Sequence, residues 1–464
     1  MSKSERNPPP RASRAPQGHD RDAAREPNPS APAAGLDSRR AAVAAIEAVL
    51  GKGRPLEETL ERLTRDFEPR DRALARMIAA SVLRRLGSLR ALLGGLLDKP
   101  LPERARRAET LLLVGAAQVL LMDVPDHAAV ATSVTLAGEE AASAGYKGLI
   151  NAVLRRIARE GTERFAALDG AGLDLPEWLM AGWVATYGEA TARRMALSLL
   201  TEAPLDLTVR ADPELWAEQL GGRVLPTGSV RLADAGNVTA LPGFTDGAWW
   251  VQDAAAALPA RLLDVRPGMS VVDLCAAPGG KTAQLALAGA RVTAVDRSGP
   301  RLRRLAQNLA RLDLEAAIVE ADATNWTAPP FEALLLDAPC SSTGTLRRHP
   351  DVAWTKMPDD IASLAALQER LLDHAVELVA PGGLMVYSTC SLEPEEGERQ
   401  IERLLERRSE LERVPVTAGE CGIAPEWINA AGEVRTLPCH LPDPDPRLSG
   451  LDGFFAARLR RRQG

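Results

Sequence analysis

The stretch Val271-Val272-Asp273-Leu274-Cys275-Ala276-Ala277-Pro278-Gly279-Gly280-Lys281-Thr282 constrains the chain most. An apolar run gives way to an Ala/Pro/Gly turn and then to the start of a helix. Adjacent glycines let backbone approach a ligand without a side chain in between. The helix after the turn points its free N–H groups at whatever sits there. Open α/β sheets bind nucleotide-like ligands in this way, outside the carboxyl end of a strand. The turn is not G-x-G-x-x-G, so a ligand smaller than a dinucleotide is expected.

The flanking pattern extends this reading. Strands are expected at Ser270–Leu274, Arg291–Asp296, Ala317–Glu320, Ala333–Asp337, Gly383–Ser388 and Gly453–Leu459, with helices between them. That alternation predicts a doubly wound, mostly parallel sheet over residues 247–464. Three acids, Asp296, Asp322 and Asp337, fall at or just past strand ends and are expected to converge on one crevice. Asp296 lies about 20 residues beyond the turn, where an acid accepts hydrogen bonds from ribose hydroxyls. Two cysteines, Cys340 after Asp337-Ala338-Pro339 and Cys390 after Ser388-Thr389, close neighbouring strands at the same sheet edge.

The N-terminal half reads differently. Residues 1–35 hold seven of the 34 prolines and show no periodicity, which predicts a disordered arm. Residues 36–165 read as a helical bundle, with Leu74, Ile78, Val82 and Leu86 at spacing four. Residues 166–246 mix a helix carrying Trp178, Leu179, Trp183 and Tyr187 with a strand at Leu205, Leu207 and Val209, a small α/β linker domain.

Charge decides between partners. Residues 1–35 carry six Lys/Arg against four Asp/Glu, residues 36–165 carry 21 against 17, and residues 166–464 carry 29 against 41. A polyanion is therefore drawn to the front half and to local arginines. Candidates there are Arg39, Arg40, Arg84, Arg85, Arg104, Arg106, Arg107, Arg155 and Arg156, joined by Arg347 and Arg348 after the Cys340 loop. The five cysteines form no C-x-x-C pair, so no metal site is expected, and an odd count with no long apolar run indicates a cytoplasmic chain outside the membrane. His349, His374 and His440 are expected to be structural, and His127 a capping or surface residue at a helix start.

Two resemblances follow from these motifs. Asp71–Ala75, Leu83-Arg84-Arg85 and Ile150–Arg156 resemble the helical domain of the antitermination factor NusB. Val251-Gln252-Asp253, Asp273–Thr282, Asp337–Ser341 with Gly344, Arg347–Asp351, Ser388–Ser391 with Pro394-Glu395-Glu396, and Asp452–Phe455 resemble the RNA 5-methylcytosine methyltransferases. The resemblance implies S-adenosylmethionine as cofactor and ribosomal RNA of the small subunit as partner, with no DNA. It implies that Cys275, Ala276, Ala277, Pro278, Gly279, Gly280 and Lys281 wrap the cofactor, with Asp296 on its ribose and Asp322 near its adenine. It implies Cys390 as nucleophile, Cys340 as the group that assists adduct breakdown, and Asp337 at the base's amidine edge. The residues alone leave the choice of nucleophile open, because DNA cytosine methyltransferases attack from a Pro-Cys motif. Another RNA target, a small-molecule methyl acceptor, or a non-catalytic RNA-binding assembly factor also stay open at this point.

Overall fold

The computed structural model describes residues 35–234 and 236–463. The expected arm, apart from Gly35, lies outside the described residues. From Leu36 the chain is helical: Leu36–Lys52, Leu56–Leu63, Pro69–Arg84, Leu86–Gly94, Arg106–Leu121, Asp126–Glu139 and Lys147–Ala166 are the longer helices. Arg106–Leu121 is the central one, buried continuously from Thr110 to Gln118, as its apolar character all round requires. Ile46, Ile78, Leu83, Leu112, Ile150 and Leu154 close a single core around it. The run that carries Leu74, Ile78, Val82 and Leu86 at spacing four breaks at Arg85, whose backbone leaves the helical region (φ −116°, ψ 27°). The break lets Leu86–Gly94 turn and bury a second face.

Two further helices, Glu177–Tyr187 and Glu189–Ser198, lead to an antiparallel sheet of β1 (Leu205–Val209), β2 (Arg223–Val224), β3 (Val230–Leu232) and β4 (Trp249–Val251), in the order β2-β3-β1-β4. The sheet continues past residue 246, because β4 pairs with β1 (Leu207 opposite Val251). Beneath it lies an ion pair with no solvent exposure on either side chain: Arg231 Nε and Nη2 each donate to Asp206 at 2.7 Å. Arg231 Nη1 also donates to the carbonyls of Leu448 (2.9 Å) and Gly450 (2.7 Å), tying this sheet to a distant loop. Asp206→Ala leaves that guanidinium buried and half-partnered. It is expected to cost about 3–5 kcal/mol, read as a fall in the denaturant midpoint.

The main sheet comprises β5 (Ser270–Leu274), β6 (Arg291–Asp296), β7 (Ala317–Glu320), β8 (Phe331–Asp337), β9 (Val379–Thr389), β10 (Leu411–Arg413), β11 (Val434–Thr436) and β12 (Phe454–Arg461). Its order is β10-β12-β9-β8-β5-β6-β7, with β11 on the flank of β12. Strands β7, β6, β5, β8 and β9 are parallel, and β12 runs antiparallel to β9. Alternate residues bury on opposite faces: Leu334, Leu336, Tyr387 and Phe455 on one, Ala333, Leu335, Val386 and Ala456 on the other. Helices cover both faces, as a parallel sheet demands. The connections reverse direction between β5 and β8, so the crevice opens where these two strands end.

Candidate active site

The crevice is built first by the turn after β5. Cys275 takes a left-handed backbone (φ 62°), and Gly279 another (φ 100°). A Cβ at Gly279 would come within 2.8 Å of the Leu305 side chain, so the turn packs against the helix Gly299–Arg311 only as glycine. Asp296, 3% exposed, accepts from the amides of Ala277 (3.2 Å) and Ser298 (2.9 Å). These bonds hold its carboxylate at the pocket wall. Cys275, Asp296, Asp322, Thr324, Pro339 and Leu371 line that pocket. Asp322 also caps its own turn, accepting from the amide (2.9 Å) and hydroxyl (2.7 Å) of Thr324.

An adenosine-type cofactor fits these walls. Carboxylates at Asp296 and Asp322 have spare lone pairs for hydroxyl or amino donors, and Pro339, Leu367 and Leu371 offer apolar surface for a base. The acids around the turn also suit a cationic ligand. Asp273 is wholly buried and, among the described residues, forms no ion pair and leaves one carboxylate oxygen without a hydrogen-bond partner. Burial pushes its carboxyl up to about 7, against the bond it accepts from Thr282. Cys275 lines the pocket, and burial, with Asp296 nearby, pushes its thiol up to about 12, away from the thiolate form that a nucleophile needs. Asp296→Ala is expected to weaken S-adenosylmethionine binding about 10–100-fold, measured by calorimetry; unchanged affinity would remove Asp296 from the site.

The second half of the site comes from β8 and β9. They run in register, Asp337 opposite Ser388, and the Ala338 amide donates to the Ser388 carbonyl at 2.9 Å. The two turns that follow therefore leave the sheet side by side. They bring Cys340 Sγ and Cys390 Sγ to 3.4 Å, with Ser342 Oγ 3.6 Å from Cys390. The hydrogen bond from Cys340 holds the Cys390 thiol below its ordinary value, against the effect of burial. The same bond, reinforced by burial, holds Cys340 well above. One thiolate is thus favoured, on Cys390, with Cys340 protonated beside it. Asp337 faces the same space, accepting from Lys281 Nζ (2.8 Å) and Ser388 Oγ (3.0 Å). Lys281 lies 4.9 Å from the centre of the Phe454 ring.

Behind the cysteines, backbone packs on backbone. Gly344 N donates to the Cys390 carbonyl (2.9 Å) and Gly453 N to the Gly344 carbonyl (2.8 Å). A Cβ on Gly344 would overlap the Gly453 carbonyl. Arg348 sits between Asp253 (2.7 Å) and Asp452 (3.0 Å), so three of the sequence motifs meet at one buried cluster. This corrects the expectation that Arg347 and Arg348 reach phosphate. Arg348 is consumed by two carboxylates, and Arg347 is 1% exposed, its guanidinium lowered by burial to about 10.

Several bundle arginines are corrected in the same way. Arg39 is buried on Gln118, Arg84 donates to the Arg347 carbonyl, Arg85 pairs with Asp174, and Arg107 pairs with Glu47 and Glu140. Arg104, Arg106 and Arg155 remain exposed. His374 bonds the Trp326 carbonyl and His440 the Leu437 amide; His349 is lowered by burial. Among the described residues no cluster of His, Cys, Asp and Glu could hold a metal, and no helix is long and apolar enough to cross a membrane. The spacing of motifs did not disclose that Lys281 pairs with Asp337, or that Glu396 lies under both cysteine turns. The Pro394-Glu395-Glu396 stretch was the one available signal.

A parallel sheet with one antiparallel strand beside β9, an acid-rimmed crevice at the β5/β8 switch point and a glycine turn define a Rossmann-like methyltransferase domain behind a NusB-like helical domain. The comparisons agree. Residues 260–460 match the model of the 16S rRNA methyltransferase RsmB/F family, and residues 36–159 match the NusB family. The chain is 38% identical over 393 residues to ribosomal RNA small subunit methyltransferase B of Vibrio cholerae, covering 80% of this chain and 90% of that one. It is 37% identical over 446 residues to the protein of that name in Xanthomonas campestris, covering 92% and 98%. In fold it resembles the crystal structure of PH0851 (TM-score 0.71, 24% identity, 93% of this chain and 99% of that one). It also resembles NSun6 from Pyrococcus horikoshii with SFG (TM-score 0.53, 18% identity, 62% and 99%). The chain belongs to the ribosomal RNA small subunit methyltransferase B family, whose cofactor is S-adenosylmethionine.

Proposed function

We propose that the protein methylates carbon 5 of a cytosine in 16S ribosomal RNA through a covalent bond between Cys390 and carbon 6. The observation that carries this reading is the pair of thiols 3.4 Å apart beside Asp337, next to the cofactor crevice. Carbon 5 of cytosine is too poor a nucleophile to accept a methyl group unaided. Addition of the Cys390 thiolate to carbon 6 opens the 5,6 double bond and makes carbon 5 an enamine carbon. Asp337, oriented by Lys281 and Ser388, holds the amidine edge of the ring during addition. Bound S-adenosylmethionine supplies an electrophilic methyl on its sulfonium. Cys340, which gives up its own proton to solvent once the Cys390 sulfur is bonded to carbon 6, then takes the proton from carbon 5; the double bond re-forms, and the bond from carbon 6 to Cys390 breaks to return the thiolate.

In this reading Asp296, Asp322 and the turn Cys275–Lys281 hold the cofactor. Residues 36–165 dock RNA, 166–246 link, and 247–464 do the chemistry, with β4 serving the linking sheet. A base must leave its stack to reach the cysteines, which favours RNA not yet enclosed by the assembled subunit. The test uses full-length protein, tritium-labelled methyl donor and unmodified 16S RNA, followed by bisulfite mapping. Label at one protected cytosine is expected. Label on a base nitrogen or a ribose would overturn the reading, and label only in transfer RNA would overturn the substrate.

A further inference from the structure

Glu396 has no solvent exposure, and no salt bridge reaches it among the described residues. A bare carboxylate in such a place is costly unless hydrogen bonds replace water. Its donors come from both cysteine turns. Ser341, which follows Cys340, donates its amide at 2.9 Å and its hydroxyl. Ser391, which follows Cys390, donates its hydroxyl at 2.6 Å. Gln368 adds its amide at 3.0 Å and bonds the Pro339 carbonyl, just before Cys340, at 2.9 Å. The backbone joins in: Tyr387 Oη donates to the Glu396 carbonyl at 2.7 Å.

We propose that Glu396 is a positioning residue that straddles the Cys340 and Cys390 turns and, through Ser341 and Ser391, holds the two sulfurs at reacting distance. The proposal rests on the cysteine-adduct reading above. A carboxylate serving stability alone needs no particular donors; this one takes them from the residue after each cysteine. Four donor groups from three residues converge on a carboxylate that only accepts, two on each oxygen. Glutamine would turn an N–H₂ toward two of them, so the isosteric change weakens the clamp while preserving volume. A looser clamp weakens the Cys340 hydrogen bond that favours the Cys390 thiolate.

The groups that face these atoms define the control. Cys340, Ser342, Asp337 and Lys281 surround the Cys390 sulfur. Ser341, Ser391 and Gln368 surround the Glu396 carboxylate, and beyond Ser391 Arg435 donates to its carbonyl while pairing with Glu398. Glu393 N bonds the Ser391 hydroxyl. E396Q removes a buried negative charge that by itself raises Cys340, so the lost charge favours thiolate and an upward shift at Cys390 reports the loosened clamp.

The experiment compares full-length wild type and E396Q by iodoacetamide alkylation of Cys390 against pH, read by peptide mass, with single-turnover methylation and calorimetric cofactor binding. For E396Q the alkylation midpoint is expected to rise by about one pH unit. The methylation rate should fall about 100-fold, and cofactor affinity should stay within about twofold. An unchanged alkylation midpoint, with or without a slower reaction, overturns the proposal. If E396Q does not fold, Ser391→Ala cuts the tie from Glu396 to the Cys390 turn, along with the bonds of that hydroxyl to Glu393 N and Ser341 Oγ; it is expected to raise the midpoint by a smaller amount, and no rise overturns the proposal. Wild-type protein that alkylates as expected but methylates no cytosine would sink the adduct reading and leave the clamp standing.

Discussion

Cys390→Ala is expected to abolish methyl transfer, by at least about 1000-fold, while the protein stays folded and binds S-adenosylmethionine with near wild-type affinity. The separation follows from geometry. The Cys390 sulfur contacts Cys340 and Ser342, on the β9 side of the crevice, whereas the cofactor pocket is walled by Cys275, Asp296, Asp322 and Pro339. Removing one sulfur deletes the nucleophile and leaves the pocket intact. In the wild type the Cys390 thiol titrates below its ordinary value, so the rate should climb with pH through a midpoint under that of a free thiol and then level off. Filter-binding with labelled donor and calorimetry on the same preparation separate the two effects. Appreciable methylation by the alanine variant would falsify the nucleophile assignment.

How much of this was legible beforehand differs between elements. All six expected strands of the main sheet exist, because each is an apolar run bounded by turn residues, a pattern set by neighbours in sequence. The strands that escaped notice, β10 and β11, are three residues each and exist only as partners of β12. The break at Arg85 was also invisible, since Leu74, Ile78, Val82 and Leu86 keep helical spacing across it. At the site, Cys340 and Cys390 could be placed at one edge from strand ends alone. Their 3.4 Å separation could not, because it depends on the register of β8 against β9. Arginine roles failed most. A guanidinium in sequence carries no sign of its partner: Arg348 looked free for phosphate, yet Asp253 and Asp452, both about 100 residues distant, enclose it. Gln252-Asp253, Arg347-Arg348 and Asp452-Gly453 are separate motifs along the chain, and folding makes Asp253, Arg348 and Asp452 one cluster.

Cys340→Ala carries the second large effect, in the opposite direction. This variant keeps the nucleophile and is expected to trap RNA on the protein. Addition to carbon 6 and methylation at carbon 5 draw on the Cys390 sulfur, Asp337 and the cofactor but not on Cys340, whereas release needs the carbon 5 proton removed. In the proposed mechanism Cys340, 3.4 Å from the Cys390 sulfur, makes that removal. Its raised thiol value comes first from its bond to Cys390, then from burial. Once the Cys390 sulfur is bonded to carbon 6 it carries no charge, so the main reason for Cys340 to keep its proton is gone. Burial and the Glu396 charge still hold it above an ordinary thiol, so the deprotonated fraction of Cys340, which grows with pH, acts as the base. Without it the adduct should persist as a slow-moving, denaturant-stable band that forms with RNA and the methyl donor and contains the label. A second consequence has a defined sign. Alanine removes the hydrogen bond that lowers Cys390, so the alkylation midpoint of Cys390 should move up toward that of an ordinary thiol. Adduct without the upward shift would assign Cys340 to release alone. Free turnover without any adduct, across a range of enzyme-to-RNA ratios, would mean that another group at the crevice takes the proton, with Asp337 and its partner Lys281 the nearest ionisable pair.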